Sequence, residues 1–433
     1  MRIAVVGLGI AGLRAAQLLE RAGVDVVPVE ARGRLGGRLH TVRSGNGWYE
    51  AGGEWIDADH HRTIGLLQEL GLQPEPADPR PGRLFFQAQS CQDNAAWPDA
   101  AKDLCAVRSE AHQLASALQS PPWNNERFAD EQTVADLLDC VCTTPRGRWL
   151  SEATVRSDEG TDPDSVSLLG WLVNYRLYAG RTTENSEMSA FRFPHGAQEL
   201  CEKMASTLKA KPLLDRPVTG VQQSESHVEL WLKDEVVFAD RAIFTVPPGP
   251  LLNIDFEPEL PDNLRQAYAR LGSAPCVKVA LRFKARFWDA PSHSGSWLTD
   301  LPFQQVWDGG REGEPVLLCY VCGRGAKRLS KVSESAVAST LESLATVYPE
   351  AKEEFIEGAF HDWTVDPWAL GGFASLSPGS VHGSLPFLRQ PHGRVHWAGE
   401  ATADWIGFVE GALESAERSV QEVLVEEEVH ERP

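Results

Sequence analysis

The sequence predicts an α/β fold: a doubly wound, Rossmann-like dinucleotide-binding domain joined to an α+β domain with a mixed sheet. Three observations lead there. The chain has 433 residues, more than one ordinary core accommodates. Its opening reads strand, glycine-rich turn, helix, strand, acid, the order that cradles a pyrophosphate. Farther along, a helix-rich middle separates stretches of alternating, β-type sequence.

Arg2 to Val6 is a short apolar, β-rich run, and Gly7-Leu-Gly9-Ile10-Ala11-Gly12 follows at once. Leu13 to Ala22 reads as a helix stopped by Gly23, and Val24 to Val29 is a second strand closed by Glu30. Gly7 allows the tight turn, Gly9 lets backbone approach a pyrophosphate, and Gly12 lets helix and strand pack closely. The helix N-terminus offers unpaired N–H groups and partial positive charge. Glu30, 18 residues beyond Gly12, is placed to accept from ribose hydroxyls. These residues leave NAD and FAD both open.

The bulk numbers exclude several classes. Hydrophobic residues make up 42% and charged residues 24%, as in an ordinary soluble globular protein. A net charge of −20 argues against nucleic acid, because phosphate binding needs surplus Lys and Arg. The same acidic field can concentrate cationic substrates. Eight cysteines are scattered without a disulfide framework or a completed zinc site, which points to buried free thiols in a reducing compartment. Met1 runs almost directly into a strand, leaving no room for a signal peptide. No apolar run approaches a spanning helix, and the acidic tail around Glu426 is no membrane anchor. A cytoplasmic location is expected. The sequence leaves assembly open, a homodimer included.

After Glu30 the chain continues Ala31-Arg32-Gly-Arg-Leu-Gly36-Gly37-Arg38, and then Glu50-Ala-Gly52-Gly53-Glu54-Trp55. Both segments resemble the flavin amine oxidase family, which includes monoamine oxidases, polyamine oxidases and histone lysine demethylases. The resemblance implies FAD, with the first loop along the pyrophosphate and the second approaching the flavin ring. Glycines permit close backbone approach, and Arg38 offers a fixed cation to phosphate or flavin oxygens.

Ala100 to Leu118, Thr133 to Val141 and Ser165 to Tyr178 are helical candidates in a segment that reads as a helical insertion. The cofactor domain resumes near Phe193, with a helix from Gln198 to Leu208, then Arg216-Pro-Val218 and alternating strands from Val228 to Phe238. By resemblance, Val218 contacts adenine through its backbone. The expected division is 1–80, 192–262 and 392–433 for the FAD domain, and 81–191 with 263–391 for the substrate domain.

Val277, Val279, Leu281 and Phe283 alternate with Lys278, Ala280 and Arg282, so a strand presents Lys278 on its opposite face. On a bare strand that lysine would face solvent. The family carries a lysine nine residues before a Phe-Trp pair, as Lys278 stands before Phe287-Trp288, and there it holds a water against flavin N5. A buried ammonium in that place needs a hydrogen-bond partner. Trp363 and the block His396-Trp-Ala-Gly399-Glu400 through Phe408-Val409 also resemble the family. Trp363 would pack on the flavin, and Gly399, Glu400 and the helix starting near Phe408 would face its pyrimidine end.

Two departures stand out. The family's tyrosine cage is matched by Phe373 and Phe408, apolar walls without hydroxyls. The covalent branch has a cysteine where this chain has Gly372, so FAD is expected to be non-covalent. Glu54-Trp-Ile-Asp57 occupies the place where amino-acid oxidases often have a carboxylate-clamping arginine. An anionic substrate is therefore disfavoured unless Arg62, Arg192 or Arg324 reaches the pocket. Asp57 matches an acidic position of some polyamine oxidases and is a candidate anchor for a remote ammonium; His60-His61 reads as loop surface. Fourteen tryptophans suggest an aromatic-rich pocket.

The expected reaction oxidises the C–N bond of a small neutral amine to an imine by hydride transfer to flavin N5, with O2 as acceptor and H2O2 as product. Lys278, Phe373, Phe408, Trp363, Glu54 and Asp57 are the candidate catalytic set. The alternatives are a tailoring oxidase of secondary metabolism with internal imine capture, as in lankacidin-type pathways, and an L-amino-acid oxidase acting on tryptophan or the like. A non-enzymatic flavoprotein scaffold is the rival from another class.

Overall fold

The computed structural model describes residues 1–93, 97–178 and 188–430. Four parallel strands form its first sheet, in the order Asp25–Val29, Arg2–Val6, Arg241–Phe244 and Val395–Trp397. They come from three separated stretches of chain. Both faces of this sheet are covered, so its strands are apolar almost throughout. Ile3 and Val5 pack with helices Ile10–Arg21 and Val409–His430. Ala4 and Val6 face the other way and join a core with Val221, Leu230, Phe244 and Trp397.

That second core is closed by a four-stranded sheet rather than by helices alone. Its order is Val236–Ala239, Val228–Leu232, Val218–Gln223 and Asp255–Glu257. The first three are the expected meander. The fourth, Asp255–Glu257, pairs in parallel with Val218–Gln223 and is too short for periodicity to disclose.

A seven-stranded mixed sheet organises the other half. Its order is Phe355–Asp362, Cys276–Phe283, Val316–Cys322, Gln305–Asp308, Trp297–Thr299, Arg83–Phe86 and Gln89–Gln92. The hairpin at its end was unread in the sequence: one strand pairs in parallel with Trp297–Thr299, some two hundred residues away. On the Lys278 strand, Val279, Leu281 and Phe283 pack with Leu344 and neighbouring apolar residues on one side. Ala280 packs with Tyr49 and Ala51 of the cofactor half on the other. The alternation read in the sequence thus places Lys278 toward the cofactor half.

The helical insertion comprises Pro98–Ser116, Val134–Val141, Pro145–Glu159 and Leu168–Tyr178. Thr133 forms a capping box with Asp136, so the second helix starts one residue inside the expected start. The third helix was not anticipated, although Thr144-Pro145 starts it and Gly160 ends it. Cys201, Cys276, Cys319 and Cys322 are buried, but Cys105 and Cys140 are exposed, which corrects the expectation of uniformly buried thiols.

Candidate active site

One cavity of about 1450 Å³ lies beyond the carboxyl ends of the parallel strands and reaches the seven-stranded sheet. Each parallel strand delivers residues to it: Gly7 after the first, Glu30 after the second, Thr245 and Val246 after the third, Gly399 and Glu400 after the fourth. Gly9, Ile10, Ala11, Ala31, Arg32, Gly36, Gly37, Arg38, Gly52, Gly53, Glu54 and Trp55 also line it. So do Asp57, Lys278, Trp363, Phe373, Phe408 and Val409. Two expected cofactor residues do not. Gly12 sits behind the turn, where a Cβ would stand 1.9 Å from the Gly7 oxygen. Val218 begins its strand within the core between the first two sheets.

The geometry at the first turn fits a dinucleotide. Gly7 has φ +92°, closed to most side chains, and a Cβ on Gly37 would lie 3.3 Å from the Gly9 Cα. The helix Ile10–Arg21 begins without an acidic residue or a capping side chain, so its first N–H groups have no side-chain acceptor of their own. Glu30 accepts from the N–H groups of Leu8 (2.7 Å) and Arg32 (2.9 Å), and burial pushes its carboxyl up. Arg32 is fixed by a bidentate pair with Asp366, at 2.9 and 2.6 Å. These residues could hold the pyrophosphate and ribose of FAD.

Arg38 donates to Glu400 at 2.7 Å. Glu400 in turn accepts from the N–H of Ala374 (3.2 Å) and of Gly407 (2.8 Å). One carboxylate therefore ties together the loops that present Phe373 and Phe408. The Phe373 ring lies between two left-handed glycines: a Cβ on Gly160 would be 2.6 Å from its Cζ, and one on Gly407 would be 3.2 Å from its Cδ2. A Cβ at Gly372 would fall 3.1 Å from the Cys276 Sγ, so the covalent branch's cysteine would be crowded here.

Lys278 is 6% exposed, not solvent-facing. Its Nζ donates to the carbonyls of Glu50 (3.0 Å) and Gly52 (2.9 Å) and to Glu54 Oε2 (3.1 Å). All three ammonium protons are thereby used. Glu54 also accepts from Arg192 Nη1 at 2.6 Å and Trp307 Nε1 at 3.1 Å, with Arg311 at 3.7 Å. Trp363 donates from Nε1 to the Ala51 carbonyl at 2.8 Å, which sets its indole on the loop that carries Gly52 and Gly53.

Three readings of the substrate side need revision or placement. His60 is buried, not loop surface: its ring meets Trp405 and Phe408 edge-on, at 5.2 Å from each, and so backs the Phe408 wall. His61 is exposed at the start of its helix. Asp57 accepts the Ser189 N–H at 2.7 Å and lies 3.5 Å from His60, so its carboxylate is already engaged. Of the three arginines considered, Arg192 lines the cavity, bound to Glu54 and stacked 3.9 Å over Trp55. Arg62 pairs with Glu410 and Glu417, and Arg324 with Asp162 and Asp164. Trp55, Trp297, Trp307, Trp363 and Trp368 line the cavity, while others of the fourteen are core.

Residues 10–424 match the family described as flavin containing amine oxidoreductase. The chain belongs to this family. It is an FAD-dependent amine oxidoreductase, and it is 28% identical to amine oxidase [flavin-containing] A of Canis lupus familiaris, over 98% of this chain and 84% of that one. It is also 28% identical to a putative flavin-containing monoamine oxidase of Mycobacterium tuberculosis, over 97% and 96%. Among solved structures it resembles cyclohexylamine oxidase from Brevibacterium oxydans, with TM-score 0.88, 26% identity and 99% of both chains covered. A redesigned double mutant of putrescine oxidase gives TM-score 0.89 and 25% identity over 98% of this chain and 99% of that one. No helix among the described residues is long and apolar enough to cross a membrane.

The cavity of the flavin amine oxidoreductase also has lining residues that sequence reasoning passed over. Trp307, Arg311, Tyr320, Glu159 and Asn174 all line the cavity. Glu159 left one signal in the sequence, as an acid directly before a helix-stopping glycine, where the helix dipole disfavours negative charge.

Proposed function

We propose that this flavin enzyme oxidises a small neutral amine to its imine, with O2 as final acceptor and H2O2 as product. FAD, held without a covalent bond, would accept the hydride at N5 and pass the electrons to O2. The residues proposed to hold it are the glycine turns at 7–12, 36–37 and 52–53, with Glu30, Arg32, Arg38, Gly399 and Glu400. Val218 is kept as an adenine neighbour through its backbone alone.

The protein's own part is positioning and charge. Phe373 and Phe408 give the amine apolar walls, which favour its neutral form because a bare ammonium there would lose hydration. Glu400 fixes both walls through one carboxylate. Lys278, Arg192 and Arg311 gather around a single acid, Glu54, so that end of the cavity has an excess of positive charge. Such charge favours electron density arriving beside it. The observation that carries the reading is the buried Lys278, held by three acceptors and facing the same cavity as the glycine turns. A cytoplasmic setting fits the reduced cysteines.

The test is anaerobic mixing of the purified protein with amine and amino-acid panels, followed by admission of air. Loss of the oxidised flavin band near ~450 nm with amines, its return in air and one peroxide per cycle are expected. Bleaching by amino acids alone would sink the reading and point to Arg192 as a carboxylate clamp. Acid precipitation should leave FAD in the supernatant; flavin in the pellet would refute non-covalent binding.

A further inference from the structure

Most buried acids of the cavity accept from a backbone N–H or a cationic side chain. Glu30 has two backbone N–H groups, Glu400 has Arg38 and two more, Glu54 has Lys278 and Arg192, and Asp57 has the Ser189 N–H. Glu159 is the exception. It ends the helix Pro145–Glu159, is 4% exposed and lines the cavity. Among the described residues its side-chain hydrogen-bond partner is the amide of Asn174, and no cationic side chain pairs with it. Asn174 is itself 5% exposed, lines the same cavity, and its Oδ1 has no hydrogen-bond partner. Asp158 lines the cavity beside them.

The helix end at this corner favours a cation. The helix ends in a left-handed Gly160, with φ 63°, and its last carbonyls bring partial negative charge. An acid at that end, out of water and without a counter-charge, is unfavourable for the folded protein alone. Burial and the Asp158 charge together push the Glu159 carboxyl up to about 8. The corner also adjoins the reaction wall, since a Cβ on Gly160 would touch both Phe373 and Cys276.

We propose that Glu159 and Asn174 form a subsite for a second, protonated nitrogen of the substrate, so that α,ω-diamines are preferred over monoamines. The proposal rests on the amine-oxidation reading and specifies its substrate. One nitrogen is oxidised as the neutral amine between the phenyl walls. The other remains an ammonium, donates to the Glu159 carboxylate and the Asn174 Oδ1, and displaces the Glu159 proton to solvent. Asp57, the anchor expected from sequence, is not needed.

The holoenzyme should be assayed with straight-chain diamines and with monoamines of matched length, from butyl to octyl, alongside Glu159→Gln. The wild type should favour one or more diamines, through KM. In E159Q the diamine-to-monoamine ratio of kcat/KM should fall about 10- to 100-fold, the value of a lost charged hydrogen bond. Retention of the bound flavin spectrum shows that the variant is folded. As a second readout, diamine binding to wild type at neutral pH should release a proton that E159Q does not. A wild type that prefers monoamines, or a ratio unchanged in folded E159Q, would overturn the subsite while leaving amine oxidation intact. Bleaching by neither series would overturn both.

Discussion

Glu54 and Glu159 line the same cavity and are buried to the same degree, but they have opposite surroundings. Glu54 receives Lys278, Arg192 and Trp307, with Arg311 close by. Glu159 meets an amide and a second acid. The first carboxylate is part of the protein's internal framework, joining the Gly52–Gly53 loop to the seven-stranded sheet. The second is left for something that arrives. The cavity is thus polarised, cationic beside Lys278 and rich in acceptors beside Glu159, and a substrate with one neutral and one charged nitrogen matches that polarity.

The difference can be broken from either side. The largest effect is expected at Glu54, because its removal strands Lys278 and Arg192 as unpaired buried charges. Glu54→Ala should lower unfolding free energy by about 3–5 kcal/mol, measured by denaturant titration of the holoenzyme. A loss below about 1 kcal/mol would mean that the pairs are solvated and the framework role is mistaken.

Lys278→Met is next. It removes the cation but leaves Glu54 held by Arg192, so FAD should stay bound. Turnover or flavin reoxidation should slow about 100-fold, the scale of one lost electrostatic contact, resolved by separate reductive and oxidative stopped-flow traces. Unchanged rates in both half-reactions would remove Lys278 from the mechanism.

Gly160→Ala probes the join between the Glu159 corner and the phenyl wall. The left-handed φ and the added Cβ, 2.6 Å from Phe373 Cζ, should together cost about 1–3 kcal/mol. They should also weaken monoamine and diamine alike, unlike E159Q. Selective loss of diamine activity in Gly160→Ala would mean that the two features are not separate.

The same two regions mark how far the sequence could be read. The flavin side was legible because its chemistry is local: Gly7, Gly9 and Gly12 lie within one turn, and Glu30 closes the very next strand. Lys278 was legible through strict alternation, which placed it opposite Val277 and Val279. Its burial was implied by the family resemblance alone, since it depends on Glu54 and on the carbonyls of Glu50 and Gly52, more than two hundred residues earlier. The substrate side rests on such distant pairings throughout. The hairpin at Arg83–Gln92 looks like loop until Trp297–Thr299 pairs with it. His60 reads as surface until Trp405 and Phe408 close over it. Glu159 is an ordinary helix-end acid until the fold buries it beside Asn174.

The contrast between the two carboxylates is tested most directly by stability against pH. Glu159 titrates near 4.5 in an unfolded chain and at about 8 in the folded one, so the folded state holds the proton more tightly. Unfolding free energy should therefore decline as pH rises between those values. Asp158, Asn174 and the end of the helix Pro145–Glu159 face position 159 in both proteins, and Glu50, pushed up to about 7 by burial, also adds equally to both. Unfolding of the holoenzyme and of E159Q should be followed by denaturant titration from pH 6 to 8. The wild type should lose about 1 kcal/mol more per pH unit than the variant. Parallel profiles would mean that Glu159 is already ionised and partnered, and the polarity of the cavity would have to be redrawn.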